Sequence, residues 1–525
     1  MSDRTEKIVA VTLLVLTGIL LAHEMRSLSF FPEPNGLRWF GDESWLMSEA
    51  REQMATGTVR YPLAIGSTLE FGKGLVLSMT WLSSALYGLP VLIAGSDPIT
   101  VGRVVTAVLS VFVLFALFAS ARSLGASRCM ALFSVFLFVS TRAFLFSSHS
   151  ARPDMLAGGI ALAFVAILTK WSYAERERSG VWWTAYGAIV MFLAVSSSIH
   201  LITLLFPVAL FFAWRLGAFR RVGFMAATVL GAGGVLAALI LIYYLTTGNL
   251  RLFSVSSGPV QFNDVLSSIP ILRPFSRSVQ LANLTIRAKQ FAAEAAPLFL
   301  LLLIVPFVWK RNRSHTLTVA IVIVFLSWFF LQGAEINYLA HVLPLLFLAL
   351  AIALTRLLSY SRWLLLPIVA IGIAFGFTGW RDAARACSNA SNIDRSNANA
   401  VESLKAAIAA RWHFAQKPLV LTEPPVLDRL ANDTSLRVMT DHFISFPSIP
   451  VSLDTFLMRE HVNFIVLYNS PSYPKNRPVN DPFYRNVRRS STLISEAIGI
   501  SGDVGRDYFD RSYLRDTLLL FEVSP

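Results

Sequence analysis

Two adjacent carboxylates stand at the start of a hydrophilic stretch, within residues 41–45 (GDESW). Asp42 and Glu43 precede a segment of helical spacing that reaches Thr56. A carboxylate that is partly screened from water can take the proton of an acceptor hydroxyl as a new bond forms, so Asp42 is a candidate general base. The pair could instead cap a helix, because acidic groups at a helix start accept hydrogen bonds from free N–H groups and favour the helix dipole.

A second polar cluster is the hexapeptide HSARPD, which lies between two apolar segments. Ionisable side chains beside such segments are costly in a membrane and usually mark a functional site. His149, Arg152 and Asp154 are therefore candidate site residues, and Arg103 and Arg142 are expected to join them in one layer that recognises an anion. The alternative is a structural ion pair between Arg152 and Asp154 at a helix start.

Three cations in hydrophilic stretches are candidates for binding a phosphate group. Lys73 precedes an apolar stretch, where an ammonium group can meet a phosphate at the level of lipid headgroups. It could equally be a lysine whose stem lies along apolar surface. Arg273 and Arg277 lie in a loop and could bind a lipid phosphate, or they could simply be solvated.

Tyr338 and His341 lie where an apolar segment begins, and they are candidates for contacting substrate. Each is, taken alone, more often a structural residue. The Cys and His content indicates no metal cluster, since Cys129 and Cys387 are the two cysteines of the chain. We therefore expect no required cofactor, although a divalent cation remains compatible with the sequence.

The composition decides which elements position these residues. Of the 525 residues 55% are hydrophobic and 15% charged, whereas a soluble protein is about 25% charged. This excludes a soluble enzyme, a disordered chain and a disulfide-rich secreted protein. Residues 381–525 carry 17 basic and 16 acidic side chains, so nearly all of the net charge of +13 lies in the apolar part. Such placement is typical of membrane topology and argues against a nucleic-acid partner.

Eleven segments are apolar and long enough to be membrane-spanning helices. They cover residues 8–25, 99–120, 129–146, 155–171, 181–199, 201–216, 222–246, 297–310, 316–332, 341–358 and 363–380. Residues 74–94 could also span, but they fit better as a helix lying along the outer surface. In that arrangement the short basic turns all face inward, as the positive-inside rule requires. The N-terminus is then inside, the C-terminus is outside, and residues 26–98 and 247–296 form large outer loops.

Residues 381–525 are expected to form an outer α/β domain behind a polar linker at 388–399. Helical spacing is present at 397–412, and 452–461 is a plausible second helix. Short apolar runs predict strands, and residues 470–482 are expected to be a loop. The predicted strands cover residues 419–422, 437–440, 463–468 and 517–523. Alternation of strands and helices predicts a small α/β layer.

Taken together, these motifs resemble those of the GT-C glycosyltransferases that use polyprenyl-phosphate sugars. The similarity is strongest to the branch of the protein O-mannosyltransferases and the lipid A aminoarabinose transferases. It is carried by the acidic pair, the helix 49–57 (EAREQMATG), the lysine before a surface helix, and the Arg-Pro-Asp of the second outer loop. The stretch 338–344 (YLAHVLP) also resembles a late-span motif of these bacterial enzymes.

The resemblance implies a GT-C-like polytopic α-helical membrane protein of about eleven spans, residues 1–380, with a C-terminal soluble α/β domain, residues 381–525. It implies that Asp42 is the base, that Glu43 helps to hold the acceptor or to orient Asp42, that Lys73 contacts the donor's lipid phosphate, and that Asp154 is the second-loop acid near the site. Arg152 and the arginines of the second large loop are further expected phosphate contacts.

The expected activity is inverting transfer of a sugar from a polyprenyl-phosphate carrier to a hydroxyl or phosphate of an acceptor glycan, lipid or protein. The expected location is the bacterial cytoplasmic membrane, with the site on its periplasmic side and membrane lipid as a partner. Two alternatives stay open: a transporter or flippase of a lipid-linked glycan, and a non-catalytic assembly protein that works through residues 381–525.

Overall fold

A computed structural model describes most of the helical part of the chain and the sheet of its C-terminal domain. The described ranges are residues 3–27, 81–95, 98–173, 178–196, 199–247, 312–331, 336–422, 435–440, 453–469, 482–501 and 514–523, with single positions at 47, 50, 51, 54, 285, 288, 289, 291, 292 and 430. Five candidate site residues lie outside the described residues: Asp42, Glu43, Lys73, Arg273 and Arg277.

Twelve α-helices follow one another in the described part of residues 3–411. They are α1 (Asp3–Ser27), α2 (Trp81–Ala94), α3 (Pro98–Ser123), α4 (Arg128–Val139), α5 (Arg142–His149), α6 (Asp154–Trp171), α7 (Gly180–Ser196), α8 (Ile199–Leu216), α9 (Val222–Thr247), α10 (Asn312–Leu331), α11 (Leu343–Tyr360) and α12 (Leu365–Arg411). Short 3-10 helices occur at Ala218–Arg220, Ile336–His341 and Arg362–Leu364.

Six of these helices contain a stretch long and apolar enough to cross a membrane, which confirms the polytopic helical class. The stretches are Glu6–Met25, Ile99–Ser123, Asp154–Trp171, Val222–Ile242, Leu343–Tyr360 and Leu365–Arg385. They coincide with six of the eleven predicted spans. The apolar parts of α7, α8 and α10 are shorter, and the predicted span 297–310 lies outside the described residues.

The predicted span 129–146 consists of two helices in the structure. Helices α4 and α5 meet at a bend of 70°. At the break, the Ser140 N–H donates to Phe136 O and ends α4, while the Thr141 side chain accepts from the Phe144 N–H and starts α5. Each half is thereby capped, so a change of direction costs few unsatisfied backbone groups.

The predicted linker at 388–399 is wrong, because α12 runs without a break through it. This helix has 47 residues and is therefore about 70 Å long. Its first part packs in the membrane module, where Phe133 and Phe136 would clash with a Cβ at Gly372 and Gly376. Its last turns belong to the C-terminal domain.

The C-terminal domain holds a mixed five-stranded sheet of order β2-β1-β3-β5-β4. Its strands are β1 (Leu419–Thr422), β2 (Arg437–Thr440), β3 (Phe464–Asn469), β4 (Ser491–Ser501) and β5 (Leu514–Val523), and its helices α13 (Leu453–Glu460) and α14 (Pro482–Ser490). Strand β1 pairs in parallel with β2 and β3, in registers that include Val420↔Val438 and Leu421↔Ile465. Strand β5 pairs antiparallel with β3 and β4.

Each face of this sheet has its own apolar core. One face packs against Val401, Leu404 and Ile408 of α12. The opposite face packs against Phe456 and Leu457 of α13. The predicted α/β layer is confirmed, including four strands close to their predicted places, whereas β4 and α14 were not predicted.

Candidate functional site

The second polar cluster lies at the turn between α5 and α6. Asp154 is the first residue of α6, where a carboxylate is favoured by the positive end of the helix dipole. It follows Pro153, whose ring excludes continuation of α5 through this point. His149, Arg152 and Asp154 are all buried, although each carries an ionisable group.

The carboxylate of Asp154 joins Arg152 to His341. Arg152 Nε donates to Asp154 Oδ2 over 2.9 Å, and His341 Nε2 lies 3.1 Å from Asp154 Oδ1. His341 is separated from Asp154 by 187 positions in sequence, and its side chain is wholly buried. The structure therefore brings together the turn between α5 and α6 and the segment that precedes α11, both of which the sequence singled out.

Tyr338 completes this cluster. Its ring centroid lies 5.5 Å from that of His341, and the guanidinium carbon of Arg152 lies 5.8 Å from it. The latter distance is typical of a cation–π contact. Tyr338 and His341 share the short 3-10 helix Ile336–His341, which places both rings beside the Arg152–Asp154 pair.

The main chain of Arg152 is fixed by α2. The Tyr87 hydroxyl donates to Arg152 O over 2.8 Å and lies 3.0 Å from the Thr106 hydroxyl of α3. Tyr87 is fully buried, so these bonds are shielded from competing water. Arg152 is thus held through both its backbone and its side chain.

The predicted single layer of arginines is divided in the structure. Arg142, at the start of α5, forms an ion pair of 2.8 Å with Asp382 of α12 instead. Arg103 is buried on α3. His149 Nδ1 lies 2.7 Å from Leu145 O and 2.7 Å from Ser148 Oγ.

Two described residues that precede α2 also belong to this region. Met47 and Ala50 form an apolar cluster with Tyr87, Ile99 and Ala151, next to Arg152. A Cβ added at Gly102 would clash with both Met47 and Ala151, so these two segments approach α3 closely.

Among the residues that the structure describes, no three or more His, Cys, Asp or Glu side chains are grouped so that they could hold a metal ion. What the described cluster offers chemically is a buried cation, Arg152, with fixed orientation, a carboxylate that accepts at both of its oxygens, and an aromatic ring beside them. Such a preorganised group can stabilise charge that develops on a nearby anion.

Three residues of this arrangement were missed by the sequence analysis. Tyr87 and Thr106 lie in apolar helices, where a hydroxyl has no distinguishing context. Gly158 also lies in an apolar run, yet a Cβ there would clash with the carbonyl oxygen of Ala340. The signal available in the sequence was the position of Gly158, one helical turn after Asp154, since a glycine there lets another backbone approach the site.

Neither a protein-family description nor any curated protein matches this sequence. Solved structures match its fold. The structure of ArnT from Cupriavidus metallidurans bound to undecaprenyl phosphate has a TM-score of 0.56 at 13% identity, over 97% of this chain and 97% of that one. The apo form of the same protein has a TM-score of 0.52 at 13% identity, over 99% and 98%.

A third similar structure is that of the oligosaccharyltransferase from Archaeoglobus fulgidus in the apo form. Its TM-score is 0.50 at 11% identity, over 86% of this chain and 69% of that chain. These proteins are GT-C glycosyltransferases, and the likeness covers nearly the whole length of the chain. The arrangement of helices and the C-terminal sheet domain are therefore those of the GT-C membrane fold.

Proposed function

We propose that the protein is an inverting glycosyltransferase that moves a sugar from a polyprenyl-phosphate carrier to an acceptor hydroxyl or phosphate. The likeness to ArnT supports this, because that protein was solved with undecaprenyl phosphate and matches over 97% of both chains. The acceptor is a glycan, a lipid or a protein, and no nucleic acid takes part.

The observation that carries the proposal is the packing of Met47 and Ala50 in one apolar cluster with Ala151, at the turn between α5 and α6. Met47 packs in one cluster with Ala151, the residue before Arg152, and Asp42 and Glu43 precede Met47 by five and four positions in the sequence. A general base and a fixed cation near one another are the two groups that this transfer requires.

The reaction balances without a further reagent. The bond between the anomeric carbon and the phosphate oxygen breaks, and the acceptor oxygen forms a new bond to that carbon from the opposite side. Asp42 takes the acceptor proton, and Glu43 orients it. Lys73, Arg152, Arg273 and Arg277 stabilise the polyprenyl phosphate that leaves, while Tyr338 and His149 line the substrate site. One such displacement inverts the anomeric centre.

We place the enzyme in the bacterial inner membrane with its site on the periplasmic side. The C-terminal domain then lies on the same side as the site, since α12 passes Arg142 at Asp382 and continues into the sheet. The donor's prenyl chain stays in the membrane. The activated sugar already carries its leaving group, so the proposal needs no nucleotide and no required cofactor.

The test is sugar transfer by the purified full chain in lipid nanodiscs, with synthetic undecaprenyl-phosphate sugars and lipid or glycan acceptors. Asp42→Asn should lower the rate by roughly 10²–10⁴, the usual contribution of a positioned base. The Asp42→Asn variant should still bind undecaprenyl phosphate as the unmodified protein does. Glu496→Gln, the same carboxyl-to-amide change at an exposed site on β4, is the control and should leave the rate unchanged.

Two results would contradict the proposal. One is equal transfer rates for Asp42→Asn and the unmodified protein. The other is movement of an intact lipid-linked glycan across the bilayer with no sugar transferred, which is what a transporter or flippase does.

A further inference from the structure

The side chain of His341 is too deeply buried to contact a substrate directly. Its side chain is 0% exposed, and its Nε2 lies 3.1 Å from Asp154 Oδ1. An ionised carboxylate only accepts hydrogen bonds, so this contact needs the hydrogen of His341 on Nε2. The described geometry thus directs the imidazole to Asp154, whereas the sequence predicted a substrate contact.

Asp154 is engaged at both oxygens. Oδ1 faces His341, Oδ2 accepts from Arg152 Nε over 2.9 Å, and the side chain is 4% exposed. A general base needs an oxygen that faces the acceptor proton within hydrogen-bond distance. This carboxylate is better suited to hold two groups in a fixed relation than to take up that proton.

The 3-10 helix that carries His341 is pressed directly against α6. The carbonyl oxygen of Ala340 occupies the space that a Cβ of Gly158 would need. His341 therefore reaches Asp154 from a backbone that is itself fixed on the same helix. This close approach is an observation separate from the ion pair, and it favours the same arrangement.

We propose that His341 is a positioning residue, which acts through Asp154 to fix the guanidinium of Arg152 beside Tyr338. The inference rests on the proposed function, in which Arg152 stabilises the departing phosphate. A guanidinium that is misplaced by about 1 Å would lose much of its effect on the transition state, a loss of up to roughly 10²-fold in rate.

Two amide variants of His341 separate this role from simple space filling. The amide nitrogen of His341→Gln can reach the position of Nε2, whereas that of His341→Asn matches Nδ1 and falls short of Asp154. We expect kcat/KM for the lipid donor to fall by roughly 10²-fold in His341→Asn and by less than about 10-fold in His341→Gln. The KM for the acceptor should not change in either variant.

The matched control is Tyr186→Phe, which removes another buried hydrogen bond, from the Tyr186 hydroxyl to Ala209 O at 2.7 Å. It should leave the rate per folded molecule unchanged. Equal rates for the Asn and Gln variants would overturn the proposal, as would a loss of rate in Tyr186→Phe as large as that in His341→Asn.

A double-mutant cycle tests whether His341 acts through Arg152. If it does, His341→Asn should change kcat/KM by less than about 3-fold when Arg152 is already lysine, because the geometry it supports is already lost. Full additivity of the two substitutions would show that His341 acts independently and would overturn the proposal.

Hydrogen exchange distinguishes failure of this inference from failure of the proposed function. Amides of residues 336–342 should exchange faster in His341→Asn than in the unmodified protein, with no change in Tyr186→Phe. If the unmodified protein transfers no sugar, the proposed function fails and the exchange result still decides whether His341 holds this segment. Unchanged exchange in His341→Asn would overturn the positioning role.

Discussion

The Arg152–Asp154 ion pair is almost fully removed from solvent, since 5% and 4% of the two side chains are exposed. A buried pair contributes little net stability, because desolvation of both ions offsets their attraction. Removal of one partner lowers the stability of the folded protein, however, because the other charge then stays buried without its counterion. The pair is thus better explained by the geometry it imposes than by the stability it adds.

A stability measurement follows from this asymmetry. Asp154→Asn should destabilise the protein by about 3–5 kcal/mol, because it leaves Arg152 charged and without its carboxylate. Addition of Arg152→Met should restore part of that loss. Thermal unfolding in detergent checks both variants, and a double variant that is less stable than Asp154→Asn would contradict the expectation.

At the residue scale the sequence predicted the ionisable groups and, as an alternative, the Arg152–Asp154 ion pair, but not the partnership of Asp154 with His341. Arg152, Asp154, Tyr338 and His341 stand out because polar groups at the ends of apolar segments are conspicuous. The pairing of Asp154 with His341, 187 positions apart, depends on how the helices pack, and no local sequence pattern predicts it. The role of Tyr87 was missed for the same reason, since its hydroxyl matters only once Arg152 O is beside it.

Helix α6 and the 3-10 helix Ile336–His341 are in contact at Gly158, and this contact sets the distance between Asp154 and His341. Gly158→Ala should push the carbonyl of Ala340 away, lower the thermal stability and reduce transfer. Gly234→Ala on α9 is the matched control, because nothing lies within 4 Å of a Cβ there. It should be neutral or slightly stabilising, as Ala is favoured over Gly in a helix by up to about 1 kcal/mol.

Unfolding temperature and transfer rate, measured for both glycine variants, check this prediction. If Gly158→Ala and Gly234→Ala behave alike, the close approach of the two segments is not what positions His341.

At the scale of elements, the sequence predicted where apolar helices lie better than where they end. The apolar run from Cys129 to Phe146 gave no sign of its 70° bend, because Ser140 and Thr141 are ordinary residues within membrane helices. The C-terminal end of α12 was predicted wrongly for a related reason. A helix satisfies its own backbone hydrogen bonds and can therefore continue from an apolar into a polar sequence.

The C-terminal domain depends on α12 for one of its two cores. Val401, Leu404 and Ile408 pack on the sheet against Val420, Phe464 and Leu518. A fragment of residues 381–525 should therefore fold, whereas residues 412–525 should not, since the exposed sheet face would lack its helix. Circular dichroism and two-dimensional NMR of both fragments check this, and a folded 412–525 fragment would contradict it.

At the scale of the molecule, hydropathy and charge placement predicted the polytopic class and the separate α/β domain. They did not predict how the two are joined, since the polar residues 388–399 resemble a linker in composition alone. The Arg142–Asp382 ion pair was likewise out of reach, because it joins side chains 240 positions apart.

The unbroken course of α12 makes the orientation of the sheet depend on the number of residues between Asp382 and Val401. One inserted residue would rotate the sheet by about 100° around the helix axis and move it outward by about 1.5 Å. Seven inserted residues would nearly restore the angle while adding about 10 Å of height. Insertions and deletions in this stretch therefore keep the orientation of the sheet only if they add or remove whole helical turns. A flexible linker would not impose this restriction.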